Sequence, residues 1–490
     1  MTLHFLTWDQ LAHCLNATLI TAASIFQAQI ASCRIPTGIC STDTRSTKPE
    51  DLFFALKGPR YDAHDFLFQA KEKGALGAVI EWQWWNAQTK ITQQTLSESF
   101  HLWLVESASV ALQLFGKYFR AQFNLPVIAL TGSCGKTTVK EIIATILKEA
   151  VCVQGLNAQE SVLYTEGNLN NEIGVPLMCA RLSEAHRYAV FELGASHQGE
   201  IALTSNIVRP DVALLNNVGE AHLEGFGSLE GVFRAKMEIY QALSAEGMAV
   251  INLDTAFASK NLQQTQHLKR ITFSSLESTA DVFLLKTQQL DCSDYLYQLT
   301  VRLPQGQLVF LWRLMGGHNI QNALAAIACI LPFVSDLSLI KRALEKVQAV
   351  PGRLFYQKIS DNIFIIDDTY NANPLSMKAA FEAFSCLFSV NNHDFQKIFI
   401  AGDMLELGEH ADMAHVTLGE QANQHAIDCL IAIGLFSTAT ISNFKGEKYA
   451  FKTHEEAESV LALKLKTKAF FLVKGSRGSR MEKIVMRLKH

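Results

Sequence analysis

The sequence predicts an α/β protein, and three observations carry that prediction. Apolar runs alternate with helical patterns in two separate series, one of those runs turns through a glycine loop into Lys-Thr-Thr, and the 490 residues suffice for about three domains. Hydrophobic residues make up 49% of the chain and charged residues 18%, so several cores can be buried.

Residues 1–106 read as a small mixed α/β domain of short strands and helices that closes in the alternating stretch HLWLVES, His101 to Ser107. Between Gln10 and Cys33 no Asp, Glu, Lys or Arg occurs. His13, Asn16, Gln27 and Gln29 interrupt the run and no Lys or Arg precedes it, so it predicts an amphipathic helix and a short strand, not a signal peptide or a membrane insertion. A helix near Ser109 to Gln122 leads to Pro126. Residues 107–352 then alternate the runs YAVFEL, VALLNNV and GMAVINLD with helical patterns, the signature of a parallel sheet covered by helices. After VPGRL, Val350 to Leu354, the alternation restarts with NIFIIDD, KIFIAGD, CLIAIG and AFFLVKGS, so 353–490 form a second α/β domain. The stretches 87–98 and 258–306 match no motif.

A net charge of −4 leaves no basic footprint for nucleic acid. Ten scattered cysteines without any Cys-x-x-Cys pair read as reduced thiols of a cytoplasmic protein.

The loop ALTGSCGKTTVKE, Ala129 to Glu141, reads as a buried strand turning through a phosphate cradle into a helix. Backbone N–H groups would face the anion, Lys136 would reach terminal phosphates, and the Thr137 hydroxyl would ligate Mg²⁺. The generic pattern asks for glycine where Leu130 stands, so only Gly132 and Gly135 are present. Glu192 ends a buried run, where an ionised carboxylate needs a compensating cation; it is either a Mg²⁺ ligand or a strand-end residue bonded to backbone. His222 follows another buried run and precedes two glycines, as a ligand on a loop or as a structural histidine.

Lys236 shares a helical face with Val232, Ile239, Tyr240 and Leu243. An ammonium there is costly, so the side chain either snorkels to the surface or is chemically modified, for example as a carbamate. Asn319 and Asn322, on adjacent turns of a helix starting near His318, suit an adenine edge or a cap. Asp367, Asp368, Asn371 and Asn373 suit ribose hydroxyls or an Asx-rich turn, Arg353 a phosphoryl group, and Lys474, Ser476 and Arg477 a carboxylate. These polar clusters end the apolar runs, where open parallel sheets bind ligands, so two facing sheets could enclose one site.

Taken in order, the motifs resemble the Mur ligase family of bacterial cell-wall synthesis, from about Ser41 to Lys483. TGSCGKTT is similar to that family's shortened phosphate loop, with Cys134 where Asn or Ser is usual. The other segments that carry the resemblance include GNLNNEIGVPL, ELGASHQGEI, NNVGEAHLEGFGS, IIDDTYNANPLSM, GDMLELGEH and LVKGSRGSRMEK. The resemblance implies three domains: an N-terminal UDP-sugar domain, a central P-loop-type ATPase domain and a C-terminal Rossmann-like domain.

It also implies ATP-dependent amide formation between D-alanyl-D-alanine and the terminal carboxylate of UDP-N-acetylmuramoyl-tripeptide. A monomer is expected, although the sequence itself does not give the oligomeric state. Thr131, Gly132, Ser133, Gly135, Lys136, Thr137 and Thr138 would hold the nucleotide phosphates, with Asn319, Asn322, Arg353 and Asp368 on adenine, phosphate and ribose. Thr137, Glu192 and His222 would serve Mg²⁺, and Lys236 falls at the family's carbamylated lysine. Substrate contacts would come from Thr44, Arg45, Lys57, Gly58, Asn170, Asn171, Asn371, Lys474, Ser476 and Arg477. A sister ligase adding a single amino acid, or a folylpolyglutamate synthase, shares the architecture. A P-loop motor or switch would need no acceptor domain and no UDP-linked substrate.

Overall fold

The computed structural model describes residues 6–20, 40–59, 61–98, 100–220, 223–291, 296–386 and 394–489. They divide into two compact units, one of Met1–Ala129, Asn157–Gly194 and Glu200–Pro210, the other of Leu130–Leu156, Ala195–Gly199 and Asp211–His490.

The first unit opens with the helix Trp8–Leu15, which Thr7 and Gln10 start by a capping box: Gln10 N–H donates to Thr7 Oγ1 at 3.1 Å and Thr7 N–H to Gln10 Oε1 at 2.8 Å. The strand β1 (Thr18–Ile20) follows, so the uncharged stretch forms a helix and a strand as far as residue 20, and its remainder lies outside the described residues. Strands β2 (Cys40–Ser41), β3 (Leu52–Phe54), β4 (Gly77–Glu81) and β5 (His101–Val105) complete a sheet of order β1-β5-β4-β3-β2, antiparallel only between β1 and β5. Alternate residues feed two cores. Phe54, Val79 and Trp103 pack with Leu11, Leu112 and Phe115, while Phe53, Ile80 and Leu102 pack on the other face with Leu67, Trp85 and Leu96.

Strand β6 (Val127–Thr131) runs into the glycine loop, and β7 (Val162–Tyr164) pairs in parallel with β8 (Tyr188–Glu192) in the first unit. The second unit holds β9 (Val212–Leu215), β10 (Met248–Asn252), β11 (Lys269–Ser274), β12 (Val282–Asp291), β13 (Leu296–Leu303) and β14 (Gly306–Trp312). Strands β9 to β12 pair in parallel, as the continuous apolar runs of β9 and β10 predict for that pair. Strands β12 to β14 form an antiparallel meander, which departs from the all-parallel expectation. Only alternate residues of β13 and β14 are buried, among them Leu299, Val301, Leu308 and Phe310, so one face packs and the other meets solvent.

The last sheet, β15 (Phe355–Lys358), β16 (Ile363–Asp368), β17 (Gln396–Gly402), β18 (Cys429–Ile433), β19 (Glu447–Phe451) and β20 (Ala469–Lys474), has the order β15-β16-β20-β17-β18-β19. All its pairs are parallel except β15 with β16. Phe399, Leu430 and Leu472 pack with Phe381 and Leu418 on one face, and Ile365, Ile400 and Phe471 with Leu461 and Ile484 on the other, giving the doubly wound α/β layer expected after residue 353. Eight cysteines among the described residues carry thiols rather than disulfides. No helix among the described residues is long and apolar enough to cross a membrane.

Candidate active site

Strand β6 delivers Thr131, which is fully buried, and the chain turns at Gly135 with φ 77° into the 18-residue helix Lys136–Val153. A Cβ at Gly135 would lie 2.6 Å from Asn322 Oδ1 and 2.9 Å from Asn216 Nδ2, so both backbone sign and space demand glycine. No side chain caps this helix, so its first turn presents backbone amides and a positive dipole end suited to an anion. Lys136 folds over that opening, donating from Nζ to Gly132 O at 2.6 Å.

Beneath the loop lies a chain of buried carboxamides. Asn216 donates to Asn322 Oδ1 at 3.1 Å, Asn322 to Asn319 Oδ1 at 2.9 Å and Asn319 to Met315 O at 2.7 Å. The loop, Asn319 and Asn322 are thus brought together as the sequence predicts, and Asn216 is an addition. Arg353 joins them from the start of the last sheet: its Nη2 donates to Thr137 Oγ1 at 2.6 Å, and its guanidinium lies 4.0 Å over the Tyr370 ring. Arg353 is flanked by left-handed residues, Gly352 at φ 78° and Leu354 at φ 49°.

Lys236 is 2% exposed, 5.8 Å over the Phe226 ring. Burial, followed by the nearby Lys136 charge, lowers its pKa from 10.5 to about 7. The snorkelling alternative is therefore not what the chain adopts. Its helix is shorter than the apolar stripe implied: Leu229–Met237 is α-helical, Glu238–Ala242 tightens to a 3₁₀ turn, and Leu243 is extended.

In the first unit, Glu192 ends β8 at 3% exposure and accepts from Asn170 Nδ2 at 2.9 Å, while its own N–H donates to Thr165 Oγ1. Asn171 instead turns its Oδ1 onto the N–H groups of Ile173 and Gly174. Thr44 donates to Gln69 Oε1 at 2.5 Å and Arg45 pairs with Asp43 at the surface; Lys57 is exposed and Gly58 N–H closes a turn on Tyr61 O. His222 lies outside the described residues.

In the last sheet, Lys474 is buried and bonded within the protein, to Asp368 Oδ2 at 2.7 Å and Asn371 O at 2.8 Å. Asp368 also accepts from Leu354 N–H at 3.1 Å, and Ser476 Oγ ties Ala372 O to Leu405 N–H. These contacts make Asp368, Lys474 and Ser476 parts of a knot that fixes the loops after β16 and β20; Arg477 remains at the surface beside Glu482. Removing Lys474 strands a carboxylate that is 13% exposed, so Lys474→Met is expected to cost roughly 3 kcal/mol in urea unfolding. An unchanged midpoint would refute the structural role. His318 sits near this pair; desolvation lowers its pKa to about 4, with Asp368 opposing the effect and Lys474 adding to it, so it is neutral at pH 7.

Comparison with known proteins gives concordant results. Residues 130–330 match the Mur ligase middle domain and 352–477 the Mur ligase glutamate ligase domain. The chain is 37% identical over 477 residues to the UDP-N-acetylmuramoyl-tripeptide--D-alanyl-D-alanine ligase of Escherichia coli (strain K12), covering 97% of this chain and 99% of that one. Among solved structures, MurF from Acinetobacter baumannii superposes with a TM-score of 0.85 at 34% identity, covering 99% of this chain and 98% of its own. MurF from Thermotoga maritima, solved in complex with ADP, superposes with a TM-score of 0.75 at 26% identity, covering 92% of this chain and 97% of its own. A glycine loop opening an uncapped helix, buried asparagines beneath it and an arginine bonded to Thr137, in a sequence with these relatives along nearly its whole length, lead to one conclusion: the chain belongs to the Mur ligase family.

Proposed function

We propose that this protein is an ATP-dependent ligase that joins D-alanyl-D-alanine to the terminal carboxylate of UDP-N-acetylmuramoyl-tripeptide, giving the pentapeptide precursor of peptidoglycan. The observation that carries the reading is the contact of Arg353 with the Thr137 hydroxyl, which sets a second cation beside Lys136 at the phosphate loop. Residues 1–106 would hold the UDP-sugar, 107–352 the nucleotide and 353–490 the dipeptide. One copy carries every residue the reading uses, and its thiols suit the cytoplasm.

A carboxylate resists attack by an amine because oxide is a poor leaving group. The tripeptide carboxylate oxygen therefore attacks the γ-phosphorus of ATP, the bond to ADP breaks, and an acyl phosphate forms. The dipeptide amine then attacks the acyl carbon, and phosphate leaves from the tetrahedral intermediate. Negative charge gathers in both steps, so Lys136 and Arg353 are assigned to the phosphoryl oxygens. Asn319 and Asn322 are assigned to adenine. The first turn of the helix Lys136–Val153, which no side chain caps, fits a phosphate.

By the same reading Mg²⁺, which prefers oxygen ligands, would be held by the Thr137 hydroxyl and the Glu192 carboxylate, with His222 as a further nitrogen ligand. When bound, the metal supplies positive charge against the phosphate oxygens. Lys236 suits carbamate formation, in which its neutral Nζ attacks the carbon of CO₂ and a proton is released. The neighbouring Lys136 that disfavours the ammonium would favour the resulting anion.

The test is incubation with ATP, Mg²⁺, D-alanyl-D-alanine and the UDP-muramoyl-tripeptide ending in either diaminopimelate or lysine, with product mass and phosphate release recorded. Phosphate is expected only in the complete mixture, with a product heavier by the dipeptide less water. Release from ATP alone, or a product carrying one amino acid, would overturn the reading.

A further inference from the structure

The phosphate loop does not hold its own shape. Ser133 N–H donates to Asn217 O at 3.2 Å, and the Ser133 hydroxyl both donates to Gly219 O and accepts from Gly219 N–H, each at 2.9 Å. Asn217 grips the next residue twice: its Oδ1 accepts from Cys134 N–H at 3.0 Å and its Nδ2 donates to Cys134 O at 3.0 Å. Asn216 adds a second donor to Cys134 O at 3.2 Å, and its own carbonyl is held by Asn252 Nδ2 at 2.8 Å. The segment after β9 therefore binds the loop as an adjacent strand would.

We propose that Asn217 is a positioning residue for nucleotide, whose carboxamide, by donating to and accepting from Cys134 at once, fixes the phosphate loop in its receiving shape. The inference rests on the reading that this loop holds ATP. Only a carboxamide side chain presents a donor and an acceptor side by side at its planar end, and Asn, unlike Gln, has the short reach used here. Aspartate would lose the donor and alanine both. The N–H groups of Ser133 and Cys134 face this segment, so anion recognition falls to Gly135 and the first turn of the helix, with Lys136. Asn217 touches the loop and not the reacting atoms, so its loss is expected to act on nucleotide affinity more than on the chemical step.

The experiment uses the full chain with Asn217→Ala. Titration with Mg·ADP is expected to show Kd raised about tenfold, which corresponds to roughly 1.4 kcal/mol. KM for ATP should rise in step, kcat at saturating ATP should stay within about threefold, and KM for the other two substrates and Tm should not move. Amide exchange of Cys134 in the absence of nucleotide should accelerate about tenfold, because its acceptor is gone. Asn217→Ser, a smaller perturbation, should fall between wild type and alanine and serves if the alanine variant does not fold. A nucleotide Kd within about twofold of wild type, an unchanged Cys134 exchange rate, or a fall in Tm with all three KM values rising together would each overturn the proposal. Wild-type protein that binds no nucleotide would instead overturn the functional reading, and the exchange rate would still decide whether Asn217 holds the loop.

Discussion

Lys236→Ala is expected to abolish ligation while leaving the fold intact, and a short carboxylic acid added to the medium should restore part of the activity. The side chain is 2% exposed and lies 5.8 Å over the Phe226 ring, so it contributes little as a surface charge. Its folded-state pKa of about 7 lies below the 10.5 of the unfolded chain. Between those values the unfolded chain binds more protons, so stability rises as pH rises through that window. Below about pH 7 both states carry the proton and the whole penalty applies, about 5 kcal/mol. An uncharged variant should therefore unfold at the same or a higher temperature than wild type at pH 6. Activity should increase from pH 6 to 8 and respond to added bicarbonate, because only the neutral amine reacts with CO₂. Full ligation by Lys236→Ala without rescue would remove the carbamate from the mechanism.

Lys136→Ala should lower kcat/KM for ATP by roughly a thousandfold, the loss seen when one charge-stabilising donor is removed from a closed site. The ammonium now donates to Gly132 O at 2.6 Å, a carbonyl it would exchange for a phosphate oxygen. Because Arg353 is assigned to the same phosphoryl group, the double variant Lys136→Ala, Arg353→Ala should lose less than the product of the single losses. A second effect follows from the Lys136 charge near Lys236. Without it the Lys236 pKa rises, less neutral amine is present at pH 7, and the bicarbonate requirement should increase. Single-turnover ADP formation measures the first effect; turnover within about tenfold of wild type would refute the assigned role.

Much of this arrangement is legible in the sequence because strands buried on both faces read as unbroken apolar runs. Strands β8, β9, β10, β16, β17, β18 and β20 announce themselves in that way, and β8, β9, β16, β17 and β20 end where polar or glycine-containing clusters begin. Strands β12 and β13 do not, because residues 286–290 of β12 are exposed and YQLTVRL buries only alternate residues toward its end. The helix bearing Lys236 is shorter than its apolar spacing predicts, since that spacing persists through a turn that tightens after Met237. At the site, residue types sufficed for the phosphate loop and for Lys236, whose cost on an apolar stripe is a local matter. They could not show that Lys474 and Asp368 bond one another, or that Asn217 grips Cys134. Those pairings join residues 106 and 83 positions apart, and only the closed fold brings them together.

The left-handed pair around Arg353 bears on how the guanidinium would travel. Gly352 O accepts from Tyr370 N–H, Leu354 N–H is held by Asp368, and the Tyr370 ring lies under the charge, so three tethers bind this corner to the strand β16 and its loop. A single bond to Thr137 reaches the phosphate-loop helix. Any swing of the last sheet would carry the cation along as rigid cargo, so that, under the role proposed for Arg353, motion and the delivery of positive charge to the phosphates are one event.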